Sequence, residues 1–364
     1  MGMNKSKGTV IAIGMIYGML TLSCFLKKEE EYSFSERRKL AEKPSFSAES
    51  VLSGSYMKQA EEYVTDQFPG RDLWRGLKAG FTLNVMQKSD TNGIYEKDGY
   101  LCSMEYPMDK DSMERAGTIF TGIYDKYLKE TKTNVYFSII PDKGYFLSGG
   151  KYLSMDYEYF LKEMYAQADF AESIPIHELL QLSDYYRTDT HWKQEQITDV
   201  AEKLAEVMGT KLAGEYETRT LKIPFYGVYY GQAALPTAPD EISYCTNEVL
   251  EKCKAFDFEN NREIPIYDIS KADGRDPYEM FFGGNISLAT IENPSANTDK
   301  ELVVFGDSFA RSLLPLMAEG YTKITLIDIR YLPSAYIGSY MTFSNQDVLF
   351  LYSTSVLNNS ITLK

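Results

Sequence analysis

Residues 301–317 read ELVVFGDSFARSLLPLM, and this stretch constrains the fold more than any other. Glu301 to Phe305 is a short apolar run, which suits a strand buried on both faces. Gly306-Asp307-Ser308 then turns the chain, and Phe309 to Ala318 continues as an apolar helix. A buried strand running straight into a buried helix belongs to an α/β sheet covered on both sides.

The segments around it repeat the alternation. Asp109 to Lys129 has helical spacing of Met113, Ala116, Ile119, Phe120 and Ile123. Asn134 to Ile140 reads as a buried strand ended by Pro141, Met155 to Ala168 as a helix, and Ile174 to Ile176 as a short strand. Trp192 to Met208 is expected to be a helix, Lys323 to Ile329 and Asp347 to Leu351 strands. Between 210 and 300 the chain is rich in Tyr, Gly and Pro and predicts short strands and long loops. The expected class is three-layer α/β/α with a mostly parallel sheet.

Upstream, Gly8 to Leu26 is nineteen residues without a charge, and at 1.5 Å per residue it spans roughly 28 Å, the thickness of a bilayer core. Lys5 and Lys7 precede it, while Lys27 and Lys28 are followed by three glutamates. That balance favours an N-terminus inside and the remainder outside. The run reads as an uncleaved transmembrane helix. Its rivals are a signal peptide, for which no small-x-small cleavage site precedes the glutamates, and a lipoprotein, whose box is spoiled by Thr21 before Ser23-Cys24. The expected organisation is a stub and anchor at 1–28, a charged linker at 29–54, a helical and hairpin extension at 55–105, and a main domain at 106–364. In the extension, Phe68-Pro69-Gly70 interrupts two helical stretches, and Lys97-Asp98-Gly99 signals a hairpin turn. Cys245 and Cys253 are spaced so that they can bridge outside the cell, and fit no metal signature.

Composition narrows the chemistry. With 38 basic and 52 acidic residues the net charge is −14, a poor basis for phosphate binding, so nucleic acid is not an expected partner. The same charge weighs against an acidic polymer as substrate. There are two histidines, His177 and His191, so a three-histidine metal site is impossible. No Walker loop, dinucleotide turn, HExxH or CxxC is present; neither a metal nor a cofactor is expected.

A serine at a strand-to-helix turn lies at the carboxyl edge of an α/β sheet, beside free N–H groups that suit an oxyanion. Ser308 has that position, and the plainer reading is that Asp307 or Ser308 merely caps the helix. A serine nucleophile needs a base and a group to orient it. Tyr185-Tyr186-Arg187-Thr188-Asp189-Thr190-His191-Trp192 supplies an aspartate two residues before a histidine. In a loop, that spacing lets Asp189 accept a hydrogen bond from the imidazole; the plainer reading makes Asp189 or Thr190 a helix cap. His177 reads as a surface or satisfied histidine.

A Gly-Asp-Ser turn preceded by Asp-x-His-Trp resembles the DHHW family, itself related to the SGNH-hydrolase-like polysaccharide O-acetyltransferases of the alginate type. Further similar segments are Asp66-Gln67-Phe68-Pro69 with Arg71-Asp72, Asn92-Gly93-Ile94-Tyr95 with Asp98-Gly99-Tyr100-Leu101, Ile140-Pro141-Asp142-Lys143, Phe282-Gly283-Gly284-Asn285 and Asp328-Ile329-Arg330-Tyr331. Their order, from about residue 33 to 352, carries the resemblance. The chain departs from the family's pattern at Thr190, where a second histidine is expected. The resemblance implies an SGNH-like domain with Ser308 as nucleophile, His191 as general base and acid, and Asp189 as its orienter. Oxyanion donors are then expected from Ser308, from a glycine of the Gly283-Gly284 pair and from Asn285. Arg330 would contact an anionic group or hold the site together. Lys143 would face the cleft or sit in a structural salt bridge. A cell-surface polysaccharide substrate and an integral-membrane acyltransferase partner are also implied. The rival function is a non-catalytic scaffold or glycan-binding component, which a Ser308 hydroxyl far from His191 would favour.

Overall fold

The structure is a computed structural model that describes residues 5–147 and 149–364. Its contacts group into two compact units: the described residues up to Thr91 with Tyr230–Pro236, and Asn92–Tyr229 with Thr237–Lys364.

In the first unit, a helix covers Lys5–Leu26, and Lys7–Cys24 is long and apolar enough to cross a membrane. Helices at Ser55–Asp66 and Arg71–Asn84 follow, separated where Pro69 removes a backbone donor and Gly70 takes a left-handed conformation.

The second unit is built on one eight-stranded sheet. Its strands are β1 (Asn134–Ile140), β2 (Glu172–Ser173), β3 (Lys254–Asp257), β4 (Arg262–Ile264), β5 (Leu288–Glu292), β6 (Glu301–Gly306), β7 (Lys323–Ile327) and β8 (Asp347–Ser353). They lie in the order β4-β3-β5-β7-β6-β8-β1-β2. The pairings from β7 through to β2 are parallel, and those at the β4, β3 and β5 edge are antiparallel. Side-chain alternation separates two cores. Leu302, Val304 and Leu349 face the helices Thr198–Val207 and Ala310–Met317. Val303, Phe305, Val348 and Phe350 face Lys110–Ile123 and Tyr157–Gln167. All seven residues of β8 are buried, as a central strand with both faces covered requires. This is the three-layer SGNH-like α/β class.

The chain leaves β6 towards β7 through a helix on one face, and leaves β1 towards β2 through a helix on the other. The carboxyl edge between them is a topological switch point, the usual crevice for a site in such sheets.

Several local expectations are corrected. The helix expected from Trp192 begins at Thr198, after a 3₁₀ turn at Gln194–Gln196. His191 therefore lies in a loop, and neither Asp189 nor Thr190 caps that helix. The strand expected at Ile174–Ile176 pairs instead at Glu172–Ser173, and Ile176 opens a 3₁₀ turn. The segment 210–300 supplies three strands of the main sheet as well as a separate hairpin of Glu217–Phe225 with Asp240–Thr246. Cys245 and Cys253 are free thiols. Elsewhere the local signals hold: Ile94–Lys97 pairs with Tyr100–Ser103 across Asp98 and Gly99, both at positive φ, as a type I′ turn demands.

Candidate active site

Asp307 and Ser308 divide the work at the end of β6. Asp307 is buried; its Oδ1 accepts from Phe309 N at 3.0 Å, and its Oδ2 accepts from Ser353 N at 2.8 Å and Ser353 Oγ at 2.7 Å. It thus closes the turn and ties it to the end of β8. Ser308 is left partly exposed with its hydroxyl unneeded for capping. Among the described residues no acceptor lies within hydrogen-bonding geometry of the Ser308 N–H.

The loop that meets Ser308 is closed at its base by an antiparallel bridge between Tyr185 and Trp192, and by Tyr186 N donating to His191 O at 3.1 Å. Trp192 is wholly buried and donates from Nε1 to Ser312 Oγ at 2.9 Å and to Phe309 O at 3.2 Å. Both acceptors belong to the segment just after Ser308. Anchoring Trp192 there brings the preceding residue against the serine: His191 Nε2 lies 2.8 Å from Ser308 Oγ. His191 Nδ1 lies 2.6 Å from Asp189 Oδ1. With Nδ1–H donated to the carboxylate, Nε2 is the acceptor for the serine hydroxyl.

Asp189 is held as tightly as its partner. Its Oδ1 also accepts from His191 N at 3.2 Å, and its Oδ2 accepts from Val228 N at 2.8 Å. With donors on both oxygens, this carboxylate cannot swing away from the ring. The loop behind it rests on Asp240, whose carboxylate accepts from Arg187 N, Thr188 N and Thr188 Oγ1 at 2.8, 2.8 and 2.6 Å. Thr190, where the resemblance expects a second histidine, accepts from Tyr229 OH at 2.9 Å. Gly227 lies so near that a Cβ there would stand 2.3 Å from Asp189 Cα, Asp189 N and Thr188 O.

The remaining expected residues are placed differently. Lys143 is buried and donates to the carbonyls of Tyr186 at 2.9 Å and Arg187 at 3.1 Å. It braces the histidine loop from within and, among the described residues, forms no salt bridge. Its Nζ stands 5.0 Å over the Tyr229 ring, and burial pushes its pKa down to about 8. Arg330 donates two bonds to Asp328, 2.9 Å from Nε and 2.7 Å from Nη2. Asp328 also faces the buried Arg311 at 3.4 Å, so Arg330 holds a charge cluster together. Arg311 Nη1 in turn donates to Asn285 Oδ1 at 2.9 Å, which links the Gly283-Gly284-Asn285 turn to the helix after Ser308. Gly284 N–H closes that turn on Phe281 O, and Asn285 Nδ2 donates to Glu279 at 2.7 Å. Gly283 and Gly284 both take positive φ, the reason for glycine at each. His177 is half-buried against the Tyr145 and Tyr165 rings, and burial lowers its pKa. Among the described residues no group of three or more His, Cys, Asp or Glu is placed to hold a metal ion.

Sequence reasoning missed Asp240, Tyr229, Gly227 and Tyr278. Tyr278 stacks on the His191 ring and donates or accepts at Ser312 Oγ, 2.7 Å away. None stands in a motif of its own. Each reaches the site through chain reversals that no local pattern announces.

The chain has the three-layer SGNH-like α/β fold, with Ser308 at the carboxyl edge of its sheet. It shares its fold with a DHHW family protein from Eubacterium siraeum, at 22% identity and a TM-score of 0.58 over 74% of this chain and 93% of that one. It is likewise similar to Bacillus cereus PatB1, at 18% identity and a TM-score of 0.59 over 72% of this chain and 96% of that one. A structure of PatB1 with a sulfonyl adduct matches with the same identity and TM-score, over 72% and 95%. No protein-family model matches the chain, and no curated protein sequence matches it.

Proposed function

We propose that the protein is a membrane-anchored acyl-transfer enzyme that moves acetyl groups onto, or off, hydroxyls of a cell-surface polysaccharide. The observation that carries this reading is the Ser308–His191–Asp189 relay, with contacts of 2.8 and 2.6 Å. A non-catalytic scaffold has no need of a hydroxyl aimed at an oriented imidazole.

In the first half-reaction Ser308 Oγ attacks the acyl carbonyl carbon as its proton passes to His191 Nε2. Asp189 stabilises the imidazolium. The carbonyl oxygen becomes an oxyanion beside the Ser308 N–H, with Asn285 the proposed second donor. Collapse expels the donor's oxygen, which takes the proton from His191, and leaves acetyl-Ser308. In the second half, an acceptor hydroxyl attacks the acetyl-serine as it gives its proton to His191, and His191 then returns that proton to the departing Ser308 Oγ. A sugar hydroxyl gives transfer and water gives hydrolysis; the relay serves both. That PatB1, with the same fold, is known with a sulfonyl adduct supports this reading. Gly284, Arg330 and Lys143 are assigned to shaping and bracing the site.

In this reading Lys7–Cys24 crosses the membrane with its N-terminus in the cytoplasm and the catalytic unit outside. An integral-membrane acyltransferase is the proposed source of acetyl groups.

The test is intact mass after brief exposure to p-nitrophenyl acetate. One acetyl adduct is expected on the wild-type chain and none on Ser308→Ala. Wild-type chain without an adduct, or an adduct indifferent to Ser308→Ala, would overturn the acyl-serine reading.

A further inference from the structure

The helix Arg71–Asn84 is built inside out. Leu73, Leu77 and Phe81 recur every four residues and form one stripe, yet they are 66%, 55% and 55% exposed, with Trp74 beside them at 47%. Its only buried residue among those described is Ala79. Its two arginines turn inward, while Asp72 and Lys78 are exposed: Arg71 pairs with Glu36 and Asp66, and Arg75 pairs with Glu36 and donates to Gly231 O. The apolar stripe borders an open groove of about 620 Å³ whose other wall includes Ala234, Leu235 and Pro236. A soluble domain of this kind would ordinarily face such a stripe to its core.

The chain itself limits what can cover it. The span ends at Cys24. Five residues later Glu29 accepts from Tyr63 OH, and Glu30 exchanges two bonds with Gln67, from Glu30 N to Oε1 at 3.1 Å and from Nε2 to Glu30 O at 2.7 Å. Five residues reach at most about 17 Å when fully extended. Gln67 immediately precedes the break that opens the stripe-bearing helix at Arg71. The helix therefore starts close to the place where the chain would leave the bilayer. Charge allows it: residues 25–91, which follow the span, hold 11 basic and 11 acidic residues and are neutral, while the chain from Asn92 onward is −16. A neutral, apolar-faced unit meets a lipid surface without the repulsion that anionic headgroups exert on the acidic remainder.

We infer that the Leu73-Leu77-Phe81 face, with Trp74, docks on the phospholipid surface and seats the first unit on the bilayer. The inference rests on the anchored reading of Lys7–Cys24. It adds a second, interfacial contact to the span.

The two tryptophans supply the test. Trp74 is on the stripe, and Trp192 is fully buried in the other unit. The full chain is reconstituted in phosphatidylcholine–phosphatidylglycerol vesicles with and without lipid carrying a nitroxide near the headgroup. The expected result is loss of at least about a third of the tryptophan emission, as for a ring at the interface, and no loss in Trp74→Phe. Leu77→Asp with Phe81→Asp, both at exposed positions, is expected to abolish the quenching while the chain still floats with the vesicles. A floating chain whose Trp74 escapes the quencher overturns the inference and leaves the anchor standing. A Trp74 that is shielded but unquenched, and becomes exposed on dilution, means a second copy covers the stripe and also overturns it. A chain that fails to float overturns the anchor and this inference together.

Discussion

The ring of Tyr278 lies flat against the imidazole of His191, with centroids 3.7 Å apart and planes 6° from parallel. Phe309 packs on His191 at 4.9 Å, and Ser312 Oγ holds the Tyr278 hydroxyl at 2.7 Å. The same Ser312 Oγ accepts from Trp192. One serine on the helix after Ser308 thus secures both the residue beside His191 and the ring stacked on it. Tyr278→Leu is expected to slow acetylation of Ser308 by roughly tenfold through loss of orientation, and Tyr278→Phe by much less. The readout independent of rate is histidine NMR. With two histidines in the chain, the His191 ring protons are expected to move downfield in Tyr278→Leu while those of His177 stay in place. Unchanged His191 resonances would exclude the stack.

Asp189 accepts from the His191 ring, the His191 backbone and Val228 N. Asp189→Asn replaces an acceptor with an amide that must turn a donor towards either Val228 N–H or the imidazole. Acetylation by p-nitrophenyl acetate is expected to fall by ~10³–10⁴ with the fold retained. Rates within tenfold of wild type would remove Asp189 from the relay.

At Gly227 the backbone approaches the Asp189 loop too closely for any side chain. A methyl group there meets Asp189 and Thr188 at 2.3 Å. Gly227→Ala is expected to lower stability by about 2 kcal/mol or more, because backbone rather than a flexible side chain must give way. It is also expected to impair acetylation beyond what the lost stability explains. Urea unfolding and mass-detected acetylation on the same sample check both.

Lys143 titrates in a direction that stability can report. Burial lowers its pKa to about 8, below the ordinary lysine value, so the folded chain releases this proton before the unfolded chain does. Its contribution is therefore unfavourable below pH 8 and is relieved as pH rises towards the unfolded value of about 10.4. The stability of wild type relative to Lys143→Met is expected to rise across that window, by up to about 3 kcal/mol. A flat difference would place the Lys143 proton elsewhere. Because the ammonium braces the carbonyls of Tyr186 and Arg187, Lys143→Met is also expected to slow acetylation at neutral pH.

Local chemistry determined much of this protein. The apolar run 134–140 had to be a buried strand, Asp98-Gly99 a tight turn, and Gly306-Asp307-Ser308 the corner between a buried strand and a buried helix, because hydrophobic period and turn residues act over a few positions. The spacing of Asp189 and His191 left two readings open, a hydrogen-bonded pair and a helix cap, and the fold of the loop decided for the pair. The tertiary structure alone decided which partners meet across long chain separations. The sheet order brings β6 beside β8 and so places Asp307 on Ser353; Trp192 docking on Ser312 aims His191 at Ser308 across 117 residues. Tyr278, Asp240 and Gly227 reach the site the same way. The extent of the helix expected from Trp192 was decided there too: its apolar period continued to the tryptophan, but that ring is buried against the segment after Ser308, and only a 3₁₀ turn at Gln194–Gln196 precedes the α-helix at Thr198. Contacts of this kind depend on how whole elements pack, and short-range propensity carries no record of them.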